Sequence, residues 1–133
     1  MTDPSRNHIF DPEAPAAAII AGLKPSDEKK RLLILGANWC PDAKAFTAML
    51  ETNPLAAFVE SHFQPVLIDV GRYDHNMDIP TSFGLKNLDG LPSLIILGAD
   101  DQFLNAQDYN IFRNARTRKP EEIIEYLLPF IVH

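Results

Sequence analysis

The chain has 133 residues, 46% of them hydrophobic, and its 18 acidic and 12 basic side chains give a formal net charge of -6. A chain of this length buries about two-thirds of its unfolded surface in one core, so we expect a single domain over residues 1–133, with about residues 1–10 as an N-terminal extension. The acidic balance argues against nucleic acid as a partner, and no apolar run approaches the roughly 20 residues that cross a bilayer, which argues against a membrane span.

The first predicted elements are a helix and a central strand. Asp11-Pro12-Glu13 has the residue types of a helix start, and the following apolar run predicts a helix over about Pro12 to Ala21. The run from Arg31 to Gly36 is continuously apolar after its first residue. Such a run is typical of a strand that is covered on both faces.

A second helix and a second strand follow. From Pro41 the pattern is helical, and Asn53-Pro54 interrupts it, which predicts one long helix kinked near Pro54. The segment from Phe63 to Val70 then predicts a second apolar strand. The right-handed crossover rule makes the two strands parallel neighbours.

The second half of the chain predicts a hairpin and a final helix. Ser93 to Leu97 and Gln102 to Asn105 are separated by the turn-like residues 98–101, which indicates two antiparallel strands. Pro120 opens a helix with an apolar face. The predicted order is α-β-α-β-α-β-β-α, and no internal repeat or linker divides it.

Cys40 is the single cysteine and lies where the central strand gives way to a helix. Unpaired N–H groups and the helix dipole favour a thiolate over a thiol at such a position, so Cys40 is a candidate nucleophile. The alternative is an unreactive cysteine that acts as a small buried hydrophobe. In either case this chain contains no second cysteine for a disulfide.

Two segments resemble the thioredoxin superfamily. Gly36 to Lys44 resembles the Trp-Cys-x-x-Cys-Lys motif, and Leu91-Pro92-Ser93 resembles the family's hydrophobic, cis-proline, Ser/Thr segment. Gly-Ala-Asn-Trp-Cys-x-Asp together with Asp69-Val70-Gly71 is similar to bacterial thioredoxin-like or disulfide isomerase-like proteins. The resemblance implies a three-layer α/β/α thioredoxin-like fold with a mixed central sheet and a cis-proline loop.

The resemblance also implies a site and a chemistry. Cys40 would be the catalytic residue, while Trp39, Pro41, Leu91 and Pro92 would bind the substrate. The implied activity is that of a thiol–disulfide oxidoreductase or isomerase, and the implied partner is a protein disulfide or thiol, or glutathione. No cofactor is expected.

The sequence departs from the family at three positions. The resolving cysteine falls on Ala43, the buried acid on Ile34, and the lysine paired with that acid on Pro65. Because alanine has no redox chemistry, a two-cysteine cycle is impossible, and a mixed disulfide on Cys40 must await another thiol.

Three hypotheses follow from these departures. The first is thiol–disulfide exchange through Cys40 alone. The second is a redox-inactive binding module that uses the same groove. The third is a dithiol enzyme in which Ala43 replaces a native cysteine, since an engineered alanine and a natural one are identical in sequence.

Asp42 and Lys44, which flank the Cys40 motif, each have two interpretations. Asp42 is an ordinary first-turn acid of the helix, or a carboxylate close enough to Cys40 to disfavour the thiolate. Lys44 is a solvated side chain, or a cation that stabilises the thiolate at range.

The polar residues after the second strand suggest a metal site only superficially. These residues are Asp69, Asp74, His75, Asn76 and Asp78. Their spacing matches neither a calcium loop nor a zinc pattern, so we expect a polar loop cap and no metal.

The compartment and the oligomeric state are weakly constrained. The N-terminus lacks the basic flank, apolar core and cleavage site of a secretory signal, but a mature exported domain would look the same, so the cytoplasm and the periplasm both stay open. A monomer is the expectation for a small acidic domain without a heptad pattern.

Overall fold

The structure is a computed structural model that describes residues 10–131. The helices are α1 (Ala16–Gly22), α2 (Pro41–Leu50), α3 (Leu55–His62), α4 (Asp78–Ser82) and α5 (Pro120–Leu127); the strands are β1 (Lys30–Gly36), β2 (Phe63–Asp69) and β3 (Ser93–Leu97). Short 3₁₀ turns span Ala115–Thr117 and Leu128–Phe130. No helix among these described residues is long and apolar enough to cross a membrane.

The three strands form one mixed sheet in the order β2-β1-β3. β1 runs parallel to β2 and antiparallel to β3. Four successive residues of β1, from Leu32 to Leu35, are fully buried. Because successive side chains of a strand point to opposite faces, both faces of the sheet must be covered. The predicted central strand and its parallel neighbour are confirmed.

The first helix begins four residues later than predicted, at Ala16. Residues 11–14 instead form a turn, in which the Glu13 N–H donates to Asp11 Oδ1 and the Ala14 N–H donates to the Asp11 carbonyl. Pro15 explains the shift, because a proline disfavours the helical conformation in the residue before it. Asp11 therefore initiates the turn and not the helix.

The predicted long helix is two helices. α2 ends at Leu50 and α3 begins at Leu55. Pro54 has no N–H with which to continue the helical hydrogen-bond ladder. Asn53 stabilises the first turn of α3, because its side-chain oxygen accepts a hydrogen bond from Ala57 N at 3.0 Å. The interruption at this proline is a break and not a kink.

The prediction of a second hairpin strand over Gln102 to Asn105 is wrong. Only an isolated bridge between Leu97 and Phe103 forms there. Beyond it the buried Asn105 side chain pairs with the outer edge of β3: its oxygen accepts from Ile96 N at 2.9 Å, and its nitrogen donates to the Leu94 carbonyl at 2.9 Å. One side-chain amide thus satisfies two of the edge groups that a strand backbone would otherwise pair, while the Leu104 N–H donates to the Ile96 carbonyl at 2.9 Å.

Phe10 belongs to the core. The predicted extension falls mostly on residues 1–9, outside the described residues, but Phe10 at its end is fully buried. Its ring lies against Gly36, where an added Cβ would come within 2.5 Å of Phe10 Cζ. Its N–H and carbonyl pair with the two side-chain polar atoms of Asn38, at 3.2 and 2.7 Å. The first described residue is therefore anchored to the loop that carries Trp39.

Candidate active site

Cys40 is the N-cap residue of α2, directly after the loop that follows β1. Pro41 occupies the first helical position, where its missing N–H costs no hydrogen bond. The Cys40 N–H donates to the Ala37 carbonyl at 3.1 Å, and the Cys40 carbonyl accepts from Lys44 N at 3.0 Å. The sulfur therefore sits at the positive end of the α2 dipole, and Cys40 is 7% exposed.

The structure brings Cys40 against the segment that precedes β3. Cys40 Sγ lies 3.7 Å from the Leu91 carbonyl oxygen, to which the thiol donates a hydrogen bond. The Leu91–Pro92 peptide bond is cis, and both residues are buried. Two segments 51 residues apart in the chain thus meet at the sulfur.

Trp39 and Pro41 are exposed on either side of Cys40. The indole of Trp39 donates to the Gly71 carbonyl at 2.7 Å, and the Arg72 guanidinium lies 4.9 Å from the centre of its ring. The edge of Tyr73 packs on the same ring, with the ring centroids 6.3 Å apart. The substrate-facing tryptophan of the sequence prediction is thus held by the loop that follows β2.

Tyr73 is a site residue that sequence reasoning missed. Its φ of 65° lies in the left-handed region, which is unusual for an aromatic residue. Burial raises the pKa of its hydroxyl, with smaller contributions from Cys40 and Asp89, so the group stays neutral at physiological pH. The local sequence contains no periodic signal that would place Tyr73 on Trp39.

Comparison with solved structures identifies the fold. The disulphide isomerase from Xylella fastidiosa Temecula1 matches 90% of this chain and 94% of its own, with a TM-score of 0.80 and 26% sequence identity. The chain has a thioredoxin-like fold. The C-terminal domain of DsbD from Neisseria meningitidis, in its oxidised form, matches 91% of this chain and 97% of its own, with a TM-score of 0.58 and 22% identity. The predicted fold class is confirmed.

Sequence comparisons add no further relative. No protein-family model matches the chain, and no curated protein matches it at a significant level. The resemblance of this thioredoxin-like domain to disulfide isomerases thus depends on its structure and on the motif around Cys40.

The site of this thioredoxin-like domain contains one sulfur. Ala43, in the first turn of α2, is fully buried, and so is Ile34 in β1. Pro65 is exposed on β2, an edge strand, which is where a sheet tolerates proline. At these three positions the side chains supply neither a second thiol nor a proton-transfer group.

The carboxylate of Asp42 is engaged away from the sulfur. Its Oδ1 accepts hydrogen bonds from the backbone N–H and from Nε of Arg116, at 3.0 and 3.2 Å. The pair ties the first turn of α2 to the 3₁₀ turn at Ala115–Thr117. Because the Arg116 guanidinium compensates its negative charge, Asp42 acts as a structural first-turn acid.

The polar residues at the end of β2 and in the loop after it bond to backbone groups and not to one another. Asp69 Oδ2 accepts from Gly71 N at 3.1 Å, and the Asn76 amide donates to the Asp69 carbonyl at 2.8 Å. His75 Nε2 bonds to the Pro12 carbonyl at 2.7 Å, which joins this loop to the N-terminal segment. Between residues 10 and 131 no group of three or more His, Cys, Asp or Glu side chains is placed to hold a metal ion.

We expect Asp69 to make the stability of the domain dependent on pH. Burial raises the pKa of this carboxyl above its ordinary value of 3.8, and His75 partly offsets the rise. The folded state therefore binds the proton more tightly than the unfolded chain does. The stabilising contribution of Asp69 is complete below about pH 3.8 and is lost as the pH rises through the raised pKa.

The measurement is urea denaturation of the native chain and of Asp69→Asn, from about pH 3 to about pH 7. The asparagine cannot ionise but keeps an oxygen for the Gly71 N–H. The free energy of unfolding of the native chain should fall relative to that of the variant as the pH rises. A difference that stays constant over this range contradicts the prediction.

Proposed function

We propose that this domain carries out thiol–disulfide exchange through Cys40 alone, as a disulfide isomerase-like oxidoreductase. The observation that carries the proposal is the place of Cys40 Sγ, at the N-terminus of α2 and 3.7 Å from the Leu91 carbonyl next to Pro92. The attacking form in such an exchange is a thiolate, and the positive end of the α2 dipole points at this sulfur. The likeness to the Xylella disulphide isomerase supports this chemistry.

The exchange step requires only the Cys40 sulfur and the disulfide of a partner. The Cys40 thiolate attacks one sulfur of a disulfide, a new bond forms between Sγ and that sulfur, and the other sulfur leaves as a thiolate. The resulting mixed disulfide persists until another thiol attacks it, because Ala43 carries no sulfur. With a protein substrate, a different thiol of that substrate can attack the sulfur bonded to Cys40, which releases the Cys40 thiolate and leaves a new disulfide pairing, an isomerisation without net oxidation or reduction.

The surroundings of Cys40 suit a peptide or glutathione as the partner. Trp39 and Pro41 offer exposed apolar surface on either side of the sulfur. The Leu91 carbonyl accepts from the thiol in the resting state. Since a thiolate has no proton to donate, deprotonation of Cys40 releases this carbonyl for a bond from the backbone of a bound partner.

The direct test is reaction of the reduced native protein with glutathione disulfide, followed by intact-mass measurement. We expect one glutathione per folded chain, removed by dithiothreitol, and none on Cys40→Ser. The same reaction in urea reports the intrinsic reactivity of the cysteine. If the chain is modified in urea but not when folded, Cys40 is an inert core residue and the proposal fails.

A second candidate function is a redox-inactive module that binds peptides in the same groove. The absence of reactive groups at Ala43, Ile34 and Pro65 favours it, as does the low exposure of Cys40. Affinity capture separates the two candidates. Partners that stay bound under dithiothreitol and on Cys40→Ser indicate binding, whereas partners lost in either case indicate mixed disulfides.

The origin of Ala43 bears on both candidates. If the encoding gene specifies cysteine at position 43, the native protein is a dithiol oxidoreductase, and its reductase, oxidase and isomerase roles all reopen. If the gene specifies alanine, the two-cysteine enzyme is excluded.

A further inference from the structure

Residues 109–116 lie between the two parts of the chain that meet at the candidate active site. On one side they pack on α2: the buried ring of Phe112 lies against Phe46, with the ring centroids 6.0 Å apart. Arg116 pairs with Asp42 in the first turn of the same helix at 3.2 Å. On the other side the segment holds the loop that leads into the cis-proline.

Three residues of this segment bond to Asp89, which lies two positions before Leu91. The Tyr109 hydroxyl accepts from the Asp89 N–H at 3.3 Å, and the Asn110 side chain donates to the Asp89 carbonyl at 2.8 Å. Arg113 Nη1 donates to Asp89 Oδ2 at 3.0 Å and reaches the carbonyl at 3.5 Å. The backbone N–H, the carbonyl and the carboxylate of Asp89 are thus all held by one segment.

Arg113 also packs on Gly90, the next residue of the loop. Gly90 has a φ of 101°, a conformation that favours glycine. A Cβ at this position would come within 2.8 Å of Arg113 Cβ and 2.9 Å of Arg113 Cδ. The aliphatic stem of Arg113 therefore lies on Gly90 while its guanidinium holds Asp89.

These contacts order the loop more than they stabilise the domain. Arg113 and Asp89 are 54% and 82% exposed, and an ion pair with this exposure adds little to the free energy of folding. A loop that must become ordered when a partner binds weakens that binding by the entropy of the ordering. Because Asp89 and Gly90 are already held, a partner that bonds to the backbone of Leu91 meets a loop that is in place.

We propose that Arg113 is a positioning residue for the exchange at Cys40. It acts through Asp89 and Gly90 on the backbone of Leu91, and not on the sulfur itself. Because it concerns the partner of Cys40, this role depends on the exchange activity proposed above. The role applies to a partner with a peptide backbone, and a disulfide without one should not sense it.

The test compares two uncharged disulfides in their reaction with Cys40, followed by intact-mass measurement. One is the disulfide of the peptide acetyl-Ala-Cys-Ala-amide, and the other is bis(2-hydroxyethyl) disulfide, which has no peptide backbone. The measured quantity is the ratio of their second-order rate constants. Arg113→Met keeps an unbranched stem against Gly90 but removes the guanidinium, and it should lower this ratio by about two- to fivefold. Arg113→Lys, which keeps a charged donor for Asp89, should recover most of the ratio.

A double-mutant cycle shows whether Arg113 acts through Asp89. Asp89→Ala should lower the ratio about as much as Arg113→Met does, and the double variant should lower it no further. Lys29→Met is the control for the loss of one positive charge, because Lys29 is exposed and lies before the start of β1, away from Cys40. This control should leave the ratio unchanged.

Three results would overturn the proposal. If Arg113→Met changes both rate constants equally, Arg113 has no positioning role, while the exchange activity stands. If the effects of Arg113→Met and Asp89→Ala multiply in the double variant, Arg113 does not act through Asp89. If the native chain reacts with neither disulfide, the exchange activity fails and the positioning role fails with it.

Discussion

Replacing Ala43 with cysteine should speed the release of glutathione from the Cys40 mixed disulfide by about two orders of magnitude or more, because the attack becomes intramolecular. Residues three apart on a helix are neighbours, so a sulfur at position 43 faces Cys40 across one turn. The expected products are free glutathione and a disulfide that joins Cys40 to the sulfur introduced at position 43. Stopped-flow mixing of the pre-formed adduct, with free thiol detected, measures the release.

Ala43→Ser is the matched control for this variant. Serine is close in size to cysteine but carries no sulfur, so its adduct should persist as long as that of the native chain. Ala43 is fully buried, and one added atom at such a site costs about 1 to 3 kcal/mol through overpacking. Circular dichroism of both variants therefore belongs to the experiment. Equal release by the cysteine and serine variants would show that position 43 does not face the sulfur.

Replacing Phe10 with alanine is expected to destabilise the domain by about 3 to 5 kcal/mol. The ring is fully buried and lies on the backbone of Gly36, so its removal leaves a cavity at the C-terminal end of β1. Total stabilities of about 5 to 15 kcal/mol make this loss a large fraction of the whole. Urea denaturation of the variant against the native chain measures it.

A double-mutant cycle with Gly36→Ala tests the cause of that loss. Alone, Gly36→Ala should destabilise, because its Cβ would lie 2.5 Å from Phe10 Cζ. In the Phe10→Ala background the same methyl group enters vacated space, so the second substitution should cost much less there. Contacting residues commonly couple by about 0.5 to 3 kcal/mol. Additive effects would mean that Phe10 stabilises the domain through contacts other than Gly36.

The wrong predictions share a physical origin. The second hairpin strand was predicted from the composition of residues 102–105, but the Asn105 side chain pairs with β3 in place of a backbone. The start of α1 was predicted from Asp11-Pro12-Glu13, whereas Pro15 moved it to Ala16. In each case a single side chain changed the local backbone structure: Asn105 replaced a strand backbone, and Pro15 delayed the start of a helix. The periodicity of apolar residues carries no signal for either effect.

The local sequence around Cys40 predicted part of the candidate site but not all of it. The continuous apolar run of β1 followed by Trp39, Cys40 and Pro41 placed the sulfur at a helix N-terminus, because strand burial and helix starts are encoded locally. The meeting of Cys40 with Leu91 was anticipated only through resemblance to a family, since no local signal joins residues 51 positions apart. Tyr73, which packs on Trp39, was not anticipated at all.

The amino-acid sequence was enough to establish the α/β fold class, its central strand, the parallel neighbour of that strand, the position of Cys40 and the lack of a second cysteine. These features follow from residue identity and from contacts close in the chain. The ring of Phe10 on Gly36 and the pairing of Asp42 with Arg116 appear only when distant segments pack. Each depends on which groups meet across the folded chain, and the spacing of residues along a strand or helix does not contain that information.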